Sequence, residues 1–271
     1  MRLRKFLKFI LPYGLVDLAR NRRRLAELGR SLGPRDWFRS EWLMHEAETT
    51  GLNLFPAGFA GQIQTIVDAG ANVGQWSNML LDCVTPKRMI MIEPGPAAFA
   101  ELRERFGRDS SVELHNVALG ETEGKVHLRI TRDSTGASLL KPKEEMRALV
   151  GGNWTVESET EVRMTTLDTL LEQVPEISLL KLDVQGYEEA VLAGAVETLR
   201  KTRFLLVELN YMPQYEGGSW LGELHETLTK KHGFFLANTS KSLCLNGRAS
   251  MCDGLYVNPV LVTPWVKPDF V

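Results

Sequence analysis

The stretch "IVDAGANVGQWS", residues 66–77, decides the fold of this chain. Two apolar residues typical of a buried strand run into an aspartate and a series of small residues, after which a helix begins. Gly70 and Gly74 allow a tight turn, and the helix after them presents unpaired N–H groups at its start. The stretch predicts a strand–turn–helix unit in which a ligand approaches the backbone, although a turn capped by Asp68 has the same pattern.

Outward from this stretch, short apolar segments alternate with helical ones. The predicted strands are 64–69, 88–93, 112–119, 178–184 and 204–209, followed by "FFLANTS" and "DGLYVNP" near the end. The predicted helices are 74–83, 96–106, 187–200 and 219–232. Strands without strict polar alternation that are separated by helices form parallel sheets covered on both faces, so the pattern predicts an α/β fold.

The section 125–166 interrupts this alternation. "KVHLRIT" and "TEVRMT" place apolar and polar residues in turn, which predicts an antiparallel, half-exposed β-pair inserted into the domain. The polar stretch between them, about 133–159, is long for a structureless loop, so we expect a lid or binding loop. Ser138 and Asn153 reach the site if that loop folds over it.

Composition restricts the class of function. The 271 residues carry a net charge of −2 and 44% hydrophobic residues, as in a soluble globular protein. Nine Lys or Arg and two acidic residues lie within residues 1–30, so the remaining chain is net acidic and no nucleic-acid partner is expected. The three cysteines fit neither a disulfide framework nor a metal site, which favours reduced thiols in a cytoplasmic protein.

Residues 1–60 are predicted to form a basic, helical N-terminal extension, with a further helix at 35–50. Apolar residues of the first turns share one helical face, so residues 1–30 could lie at the inner membrane surface as a peripheral contact. The alternative is a helix packed on its own domain or on a second subunit, which leaves a homo-oligomer open. No apolar run approaches the length of a membrane-spanning helix.

Acidic residues stand where the predicted strands end. In an open parallel sheet, ligands bind beyond the carboxyl ends of the strands. Asp68 suits a ligand that carries an ammonium group, and Glu93 stands where a carboxylate holds a ribose diol. Together they describe a nucleoside with an amino-acid tail, S-adenosylmethionine; a capping role for each is the alternative.

Five motifs in order resemble the FkbM-type family of S-adenosylmethionine-dependent methyltransferases over about residues 64–240. They are "VDAGANVGQWS", "IEPGPAAFAELRERF", "VELHNVALGETEGKVHL", "MTTLDTLL" and "LLKLDVQGYEEAVLAGAVETL". The resemblance implies a Rossmann-like seven-stranded methyltransferase sheet whose last strand is antiparallel, formed by a domain over 61–271. It also implies methyl transfer to a hydroxyl oxygen, often on a sugar or a secondary metabolite, so we expect a glycan, glycolipid or secondary metabolite as the acceptor. The basic segment of residues 1–30 would fit a lipid-linked sugar.

The same resemblance implies roles for particular residues. The cofactor-binding residues would be Asp68, Gly70, Asn72, Gly74, Glu93, Asn116, Ala118 and Leu119. The segment at the end of the fourth strand and the loop after the fifth would meet the substrate through Gly186, Tyr187, Glu188 and Tyr211. Gln185 stands where an acidic residue is frequent in the family, which argues against an essential catalytic charge at that position. The aromatic residues Tyr215 and Trp220 would shape the acceptor pocket.

Methyl transfer places two demands on the site. The sulfonium methyl group is already activated, so placement of the acceptor oxygen supplies much of the acceleration. An alcohol is a poor nucleophile, so a base or a metal that lowers its pKa helps. Asp183 is the first candidate for base or metal ligand and Glu208 the second; the sequence leaves open whether the pair holds Mg²⁺.

Two other functions share the α/β pattern. One is a Rossmann-like nucleotide-binding oxidoreductase, against which the missing third glycine and the presence of Asp68 argue. The other is a non-catalytic scaffold that keeps the cofactor pocket, against which intact Asp68, Glu93 and Asp183 argue.

Overall fold

The structure is a computed structural model that describes Phe55 and residues 62–150, 152–245 and 247–262. Apart from Phe55, the predicted extension over 1–60 lies outside the described residues, and so do the helix at 35–50 and the membrane contact of residues 1–30. These stay predictions.

Strands and helices alternate through most of the described chain. The strands are β1 (Thr65–Ala69), β2 (Arg88–Ile92), β3 (Val112–His115), β4 (Ala118–Leu119), β5 (Gly124–Thr131), β6 (Val156–Thr165), β7 (Ile177–Leu182), β8 (Thr202–Asn210), β9 (Phe235–Thr239), β10 (Leu243–Leu245) and β11 (Arg248–Val257). The α-helices are α1 (Gln75–Cys83), α2 (Pro96–Phe106), α3 (Glu144–Leu149), α4 (Leu167–Leu170), α5 (Glu188–Ala193), α6 (Val196–Arg200) and α7 (Leu221–Glu226), which continues as a π-helical turn, Thr227–Lys231.

Eight of the described strands form one sheet in the order β3-β2-β1-β7-β8-β11, with β9 and β10 on the outer edge of β11. Neighbouring strands among β3, β2, β1, β7 and β8 are parallel, and β11 runs antiparallel to β8. Since β9 and β10 lie end to end along one edge, they fill a single position, and the sheet is seven strands wide. The predicted mixed α/β sheet with an antiparallel last strand is confirmed.

Two apolar layers cover the sheet. Because successive side chains of a strand point to opposite faces, Ile66 packs into the layer of α1 and α2, whereas Val67 packs into the layer of α5, α6 and α7. Every residue of β7 is buried, as expected of a central strand. The core thus holds the carboxyl ends of β1, β2, β7 and β8 beside one another.

The section predicted to hold an inserted β-pair contains two paired strands. β5 and β6 pair antiparallel, with Val126 opposite Val162, and β4 adds a short parallel strand to form a separate three-stranded sheet. The stretch between them is not one loop: it holds a 3₁₀ turn at Ser134–Gly136 and helix α3, and β6 already begins at Val156.

Some predicted boundaries are wrong. The predicted strand 112–119 divides because the amide of Asn116 donates to the carbonyl oxygens of Glu93 and Pro94, and the chain leaves the large sheet there. The predicted helix 187–200 is two helices, since α5 ends at Gly194. The short edge strand β10 was not predicted.

Among the residues that the structure describes, no helix has the length and apolar character required to cross a membrane.

Candidate active site

The turn after β1 has a backbone that few side chains permit. Gly70, Asn72 and Gly74 all have positive φ, at 85°, 49° and 81°. A Cβ atom on Gly70 would lie 1.8 Å from the carbonyl oxygen of Asp183, so the turn touches the end of β7 directly. Glycine at position 70 is therefore required both by its conformation and by this contact.

Gly74 has a different task. A Cβ atom there would lie 2.4 Å from Cε2 of Phe106, in the packing between α1 and α2. Gly74 does not line the cleft at the carboxyl ends of the strands, so direct contact between Gly74 and a cofactor is not supported by this geometry.

A cleft of about 860 Å³, open solvent included, lies at the carboxyl ends of β1, β2 and β7. Six predicted site residues line it: Gly70, Asn72, Glu93, Leu119, Asp183 and Tyr187. Its apolar wall comes mainly from Trp76, Pro94, Leu119, Leu128 and Leu139. The sheet ends, the first turn and the inserted section thus enclose one binding space.

Glu93 is the buried acid of this cleft. Its Oε2 accepts a hydrogen bond from the backbone N of Asn72 at 2.8 Å, and its Oε1 accepts one from Gly95 N at 2.7 Å. Burial raises the pKa of Glu93 to about 7, against the lowering effect of these two bonds. A ligand hydroxyl that donates to this carboxylate would favour its ionised form.

Asp68 is fully buried and does not line the cleft. Its Oδ2 accepts from Ser77 Oγ at 2.5 Å, and its Oδ1 lies 3.3 Å from the ammonium of Lys181. The same ammonium lies 3.2 Å from Oδ2 of Asp183. Asp68, which is predicted to bind the ammonium group of a ligand, is therefore paired with a lysine of the protein. Asp68 and Asp183 share this one cation.

A second cavity, of about 620 Å³ with open solvent included, adjoins the cleft. Gln75, Trp76, Lys181 and Asp183 belong to the walls of both spaces. Glu208 and Asp253, which are paired across β8 and β11, line only the second. The two predicted catalytic residues, Asp183 and Glu208, are thus brought to one cavity.

The carboxylates of the second cavity hinder one another's ionisation. Burial, the charges of Asp183 and Glu188 and that of Asp253 raise the pKa of Glu208 well above its usual value. Burial and the charge of Asp183 raise the pKa of Asp253 to about 6. A base or a hydrogen-bond acceptor can be formed here near neutral pH.

Several predicted residues do not contact either cavity. Asn116 is exposed and holds the β2 loop in place, and Ala118 is buried against the apolar residues of the small sheet. Tyr211 is exposed at the far side of β8, with its hydroxyl 2.8 Å from Ser242 Oγ. Direct cofactor or substrate contact by these three residues is not supported by this geometry.

The predicted substrate residues of "QGYE" are divided by burial. Tyr187 lines the cleft, whereas Glu188 is fully buried and its Oε1 accepts from the backbone N of Val184 and Gly186. Burial raises the pKa of Glu188 to about 7. A Cβ on Gly186 would lie 2.8 Å from the ring of Tyr215, so Gly186 and Glu188 shape the loop and do not face a ligand.

The inserted section folds over the cleft, as expected. Ser134, Thr135, Ala137, Ser138 and Leu139 all line it. Ser138 Oγ donates to the carbonyl oxygen of Gln185 at 2.7 Å, which ties the insert to the loop after β7. Asn153, the other predicted residue of the insert, is not part of the cleft wall.

Tyr215 connects the inserted section, residues 125–166, to the loop after β7. Its hydroxyl is 2.8 Å from Gln185 Oε1 and 3.2 Å from the carbonyl oxygen of Gly136. Its ring stacks on that of Trp154, with centroids 5.4 Å apart. Tyr215 is fully buried, so it supports the pocket and does not present a face to an acceptor, and Trp220, at the start of α7, is exposed.

Sequence reasoning missed Lys181, Gln75, Trp76 and Asp253. The available signal for Lys181 was a single charged residue inside the apolar strand "ISLLKL". Asp253 had no such signal, because only the pairing of β11 with β8 brings it beside Glu208.

No group of three or more His, Cys, Asp or Glu side chains within the described ranges is arranged to hold a metal ion. The geometry of Asp183 and Glu208 therefore adds no support for the Mg²⁺ that the sequence left open.

Comparison with known proteins agrees with this architecture. Residues 68–236 match the family model described as "Methyltransferase FkbM domain". The chain is 29% identical over 162 residues to a 2-O-methyltransferase, NoeI, of Sinorhizobium fredii, covering 56% of this chain and 65% of the relative. It is 27% identical over 147 residues to the hexuronic acid methyltransferase AglP of Haloferax volcanii, covering 53% of this chain and 54% of the relative.

The matched part of the chain thus spans less than two thirds of these relatives' length. Among solved structures, a methyltransferase FkbM from Methylobacillus flagellatus is similar at 13% identity with a TM-score of 0.48, covering 90% of this chain and 60% of that one.

Proposed function

Since the chain belongs to the FkbM methyltransferase family, we propose that it transfers a methyl group from S-adenosylmethionine to a hydroxyl oxygen of a sugar-containing acceptor, as in a glycan or glycolipid, or of a secondary metabolite. The observation that carries this proposal is the cleft at the ends of β1, β2 and β7, in which the Gly70 turn and Glu93 face one space. The family match supplies the type of reaction, and the cleft supplies a place for the cofactor.

The cleft offers polar groups that suit this cofactor. Asn72 lines the cleft, and its buried Oδ1 atom, which lacks a hydrogen-bond partner within the described residues, would accept from a ligand N–H or O–H once the side chain turns toward the cleft. Glu93 would accept from the ribose hydroxyls, and Pro94, Leu119 and Leu128 would contact the adenine.

The charge at the other end of the cleft suits a cationic tail. Asp68 and Asp183 contribute two negative charges around the single ammonium of Lys181, which leaves one net negative charge. This excess favours the ammonium and sulfonium groups of the cofactor. Asp68 would act on them as part of this buried group, not as an exposed ligand.

When bound, S-adenosylmethionine would supply an activated methyl group: an acceptor oxygen would bond to the methyl carbon in line as the S–C bond breaks, the S–C electron pair would stay on sulfur, and the hydroxyl proton would pass to a base. Asp183 stands between the cleft and the second cavity, with its side chain 32% exposed, and is the proposed base. Glu208 is the second candidate, because its raised pKa reflects a buried carboxyl beside other acids.

The second cavity is the proposed acceptor space. Glu208 and Asp253 can accept hydrogen bonds from sugar hydroxyls, and Trp76 on the shared wall can pack on a sugar ring. The name of one relative, a 2-O-methyltransferase, is compatible with methyl transfer to a hydroxyl of such an acceptor. A lipid-linked sugar would also fit the proposed membrane contact of residues 1–30.

Isothermal titration of the full chain with S-adenosylhomocysteine and, separately, with NAD tests the cofactor. We expect heat with the first ligand only, and an at least about tenfold weaker affinity in Glu93→Ala, because the change removes a charged acceptor from a polar ligand. Glu113→Ala is the matched control, since Glu113 forms a surface ion pair with Arg88 away from the cleft. Heat with NAD alone would favour the oxidoreductase.

Identification of the acceptor separates an enzyme from a scaffold. Extracts incubated with the protein and methyl-labelled S-adenosylmethionine should contain a labelled carbohydrate or other hydroxyl compound. Cofactor binding without label transfer to any extract component would favour the non-catalytic alternative.

A further inference from the structure

Lys181 is the one cation on the wall that the cleft shares with the second cavity, as far as the described residues go. It lies in the buried strand β7, and its side chain is only 9% exposed. Its ammonium lies 3.3 Å from Asp68 Oδ1, 3.2 Å from Asp183 Oδ2 and 3.4 Å from the carbonyl oxygen of Gly70. The side chain thus joins the ends of β1 and β7 at the centre of the candidate site.

A buried ion pair is a costly way to stabilise a sheet. Removing an ammonium from water is energetically unfavourable, and well-packed apolar residues in its place often give a protein that is as stable. Burial opposes the charge of Lys181, but the charges of Asp183 and Asp68 outweigh it, and the pKa of Lys181 is raised. The lysine therefore stays charged, and its position at both cavities suggests a task beyond packing.

The Asp183 carboxylate is held at both oxygens. Lys181 holds Oδ2, and the side-chain amide of Gln185 donates to Oδ1 at 2.7 Å. Gln185 is itself fixed by Ser138 and Tyr215 and has a positive φ of 56°. A carboxylate held in this way keeps one orientation on the shared wall.

We propose that Lys181 is a positioning residue that fixes the Asp183 carboxylate between the cofactor cleft and the acceptor cavity. This inference rests on the proposed function, in which Asp183 takes the proton of the acceptor hydroxyl. Lys181 does not contact the reacting atoms; it acts by orienting Asp183. The alternative is that Lys181 only neutralises the buried Asp68.

A double-mutant cycle separates these two roles. It compares the full-length wild type with Asp68→Asn, Lys181→Met and the double variant at saturating S-adenosylmethionine. The probes are methyl glycosides of neutral hexoses, deoxyhexoses and hexuronates. Lys181→Met alone leaves Asp68 without its cation and can fail to fold, whereas the double variant removes one charge of each sign.

If Lys181 orients Asp183, the double variant has a kcat about 100-fold below that of Asp68→Asn, while the acceptor KM changes much less. Equal kcat values in these two variants would overturn the proposal, because Lys181 would then act only through Asp68. Lys201→Met is the control: Lys201 donates to the carbonyl oxygen of Leu171 and lies at the amino-terminal ends of β7 and β8, away from both cavities.

A second readout requires no acceptor and no cofactor. In a crystal structure of the double variant, we expect the Asp183 carboxylate to leave its place beside Gln185 and adopt another rotamer, with the rest of β7 unchanged. An unmoved Asp183 would overturn the proposal. Titration of the wild type with S-adenosylhomocysteine tests the proposed function separately, so failure of one can be told from failure of the other.

Discussion

At the scale of single residues, the turn after β1 depends on glycine for two separable reasons. Gly70 has a positive φ, and it also lies against the backbone of Asp183 with no room for a Cβ atom. Gly217 also has a positive φ, at 71°, but no atom lies within 4 Å of its Cβ position. A comparison of the two glycines therefore separates the loss of stability that is due to backbone conformation from the loss that is due to the close contact.

Gly70→Ala should therefore destabilise the protein more than Gly217→Ala. The control should lose only the cost of a left-handed conformation, about 1–2 kcal/mol. Gly70→Ala should lose that and more, because the contact at the end of β7 must also open. Denaturant unfolding of both variants measures the difference; equal losses would mean that the turn moves away from β7 at little cost.

Glu93 should make cofactor binding depend on pH. Its pKa is raised to about 7, so the proton on the neutral carboxyl competes with a ligand hydroxyl below that pH. The affinity for S-adenosylhomocysteine should rise from about pH 5.5 to about pH 8, by up to about tenfold per unit below the pKa. Titrations should show a much flatter profile for Glu93→Gln, and the same slope in that variant would assign the effect to another group.

At the scale of elements, the insert is fastened to the loops that follow β7 and β8. Ser138 and Tyr215 both contact Gln185, and Pro142 forms a bridge to Tyr215. The segment that covers the cleft is thus positioned by the same residue that donates to Asp183. The position of the segment over the cleft and the orientation of the Asp183 carboxylate therefore both depend on Gln185.

Tyr215→Phe should loosen this connection without removing the stacked ring. The loss of the hydroxyl contacts corresponds to about 1 kcal/mol, or about a fivefold shift in the opening equilibrium. Hydrogen exchange in residues 133–143 should become faster, with little change in the melting temperature. Tyr211→Phe is the control, because its hydroxyl contacts Ser242 away from the insert; equal effects in both variants would contradict this role.

At the scale of the whole molecule, the sheet order brings three carboxylates to the proposed acceptor space. Asp183 ends β7, Glu208 lies in β8, and Asp253 comes from β11 near the end of the described chain. Burial first, and then the charges of neighbouring carboxylates, raise the pKa values of Glu208 and Asp253. The cavity as a whole should therefore disfavour an anionic acceptor.

The wild type should accordingly prefer a neutral methyl hexoside to the matching hexuronate. Asp253→Asn should reduce the ratio of the two kcat/KM values about tenfold, as expected for about 1.4 kcal/mol of lost repulsion. Competition between the two glycosides for labelled S-adenosylmethionine measures this ratio. Glu223→Gln, on α7 outside both cavities, is the control; a preference for the hexuronate in the wild type would contradict the prediction.

Local pattern predicted much of the fold. The sequence correctly predicts β1, β2, β7 and β8 from their apolar segments, and β5 and β6 from their alternating residues. A strand buried on both faces is apolar throughout, whereas a strand buried on one face alternates apolar and polar residues. The boundary at Asn116 was not predicted, since it depends on hydrogen bonds from the Asn116 side chain to the loop that follows β2.

The sequence by itself determined the strand–turn–helix unit of Gly70, the alternation of strands and helices and the resemblance to a methyltransferase, since these depend on residues close together in the chain. Only the tertiary structure decided that Asp68 faces Lys181, that Glu188 is buried, and that Asp253 stands beside Glu208. The physical reason is that a side chain's partner, burial and charge environment depend on which strands become neighbours, and that is settled by the packing of the whole sheet.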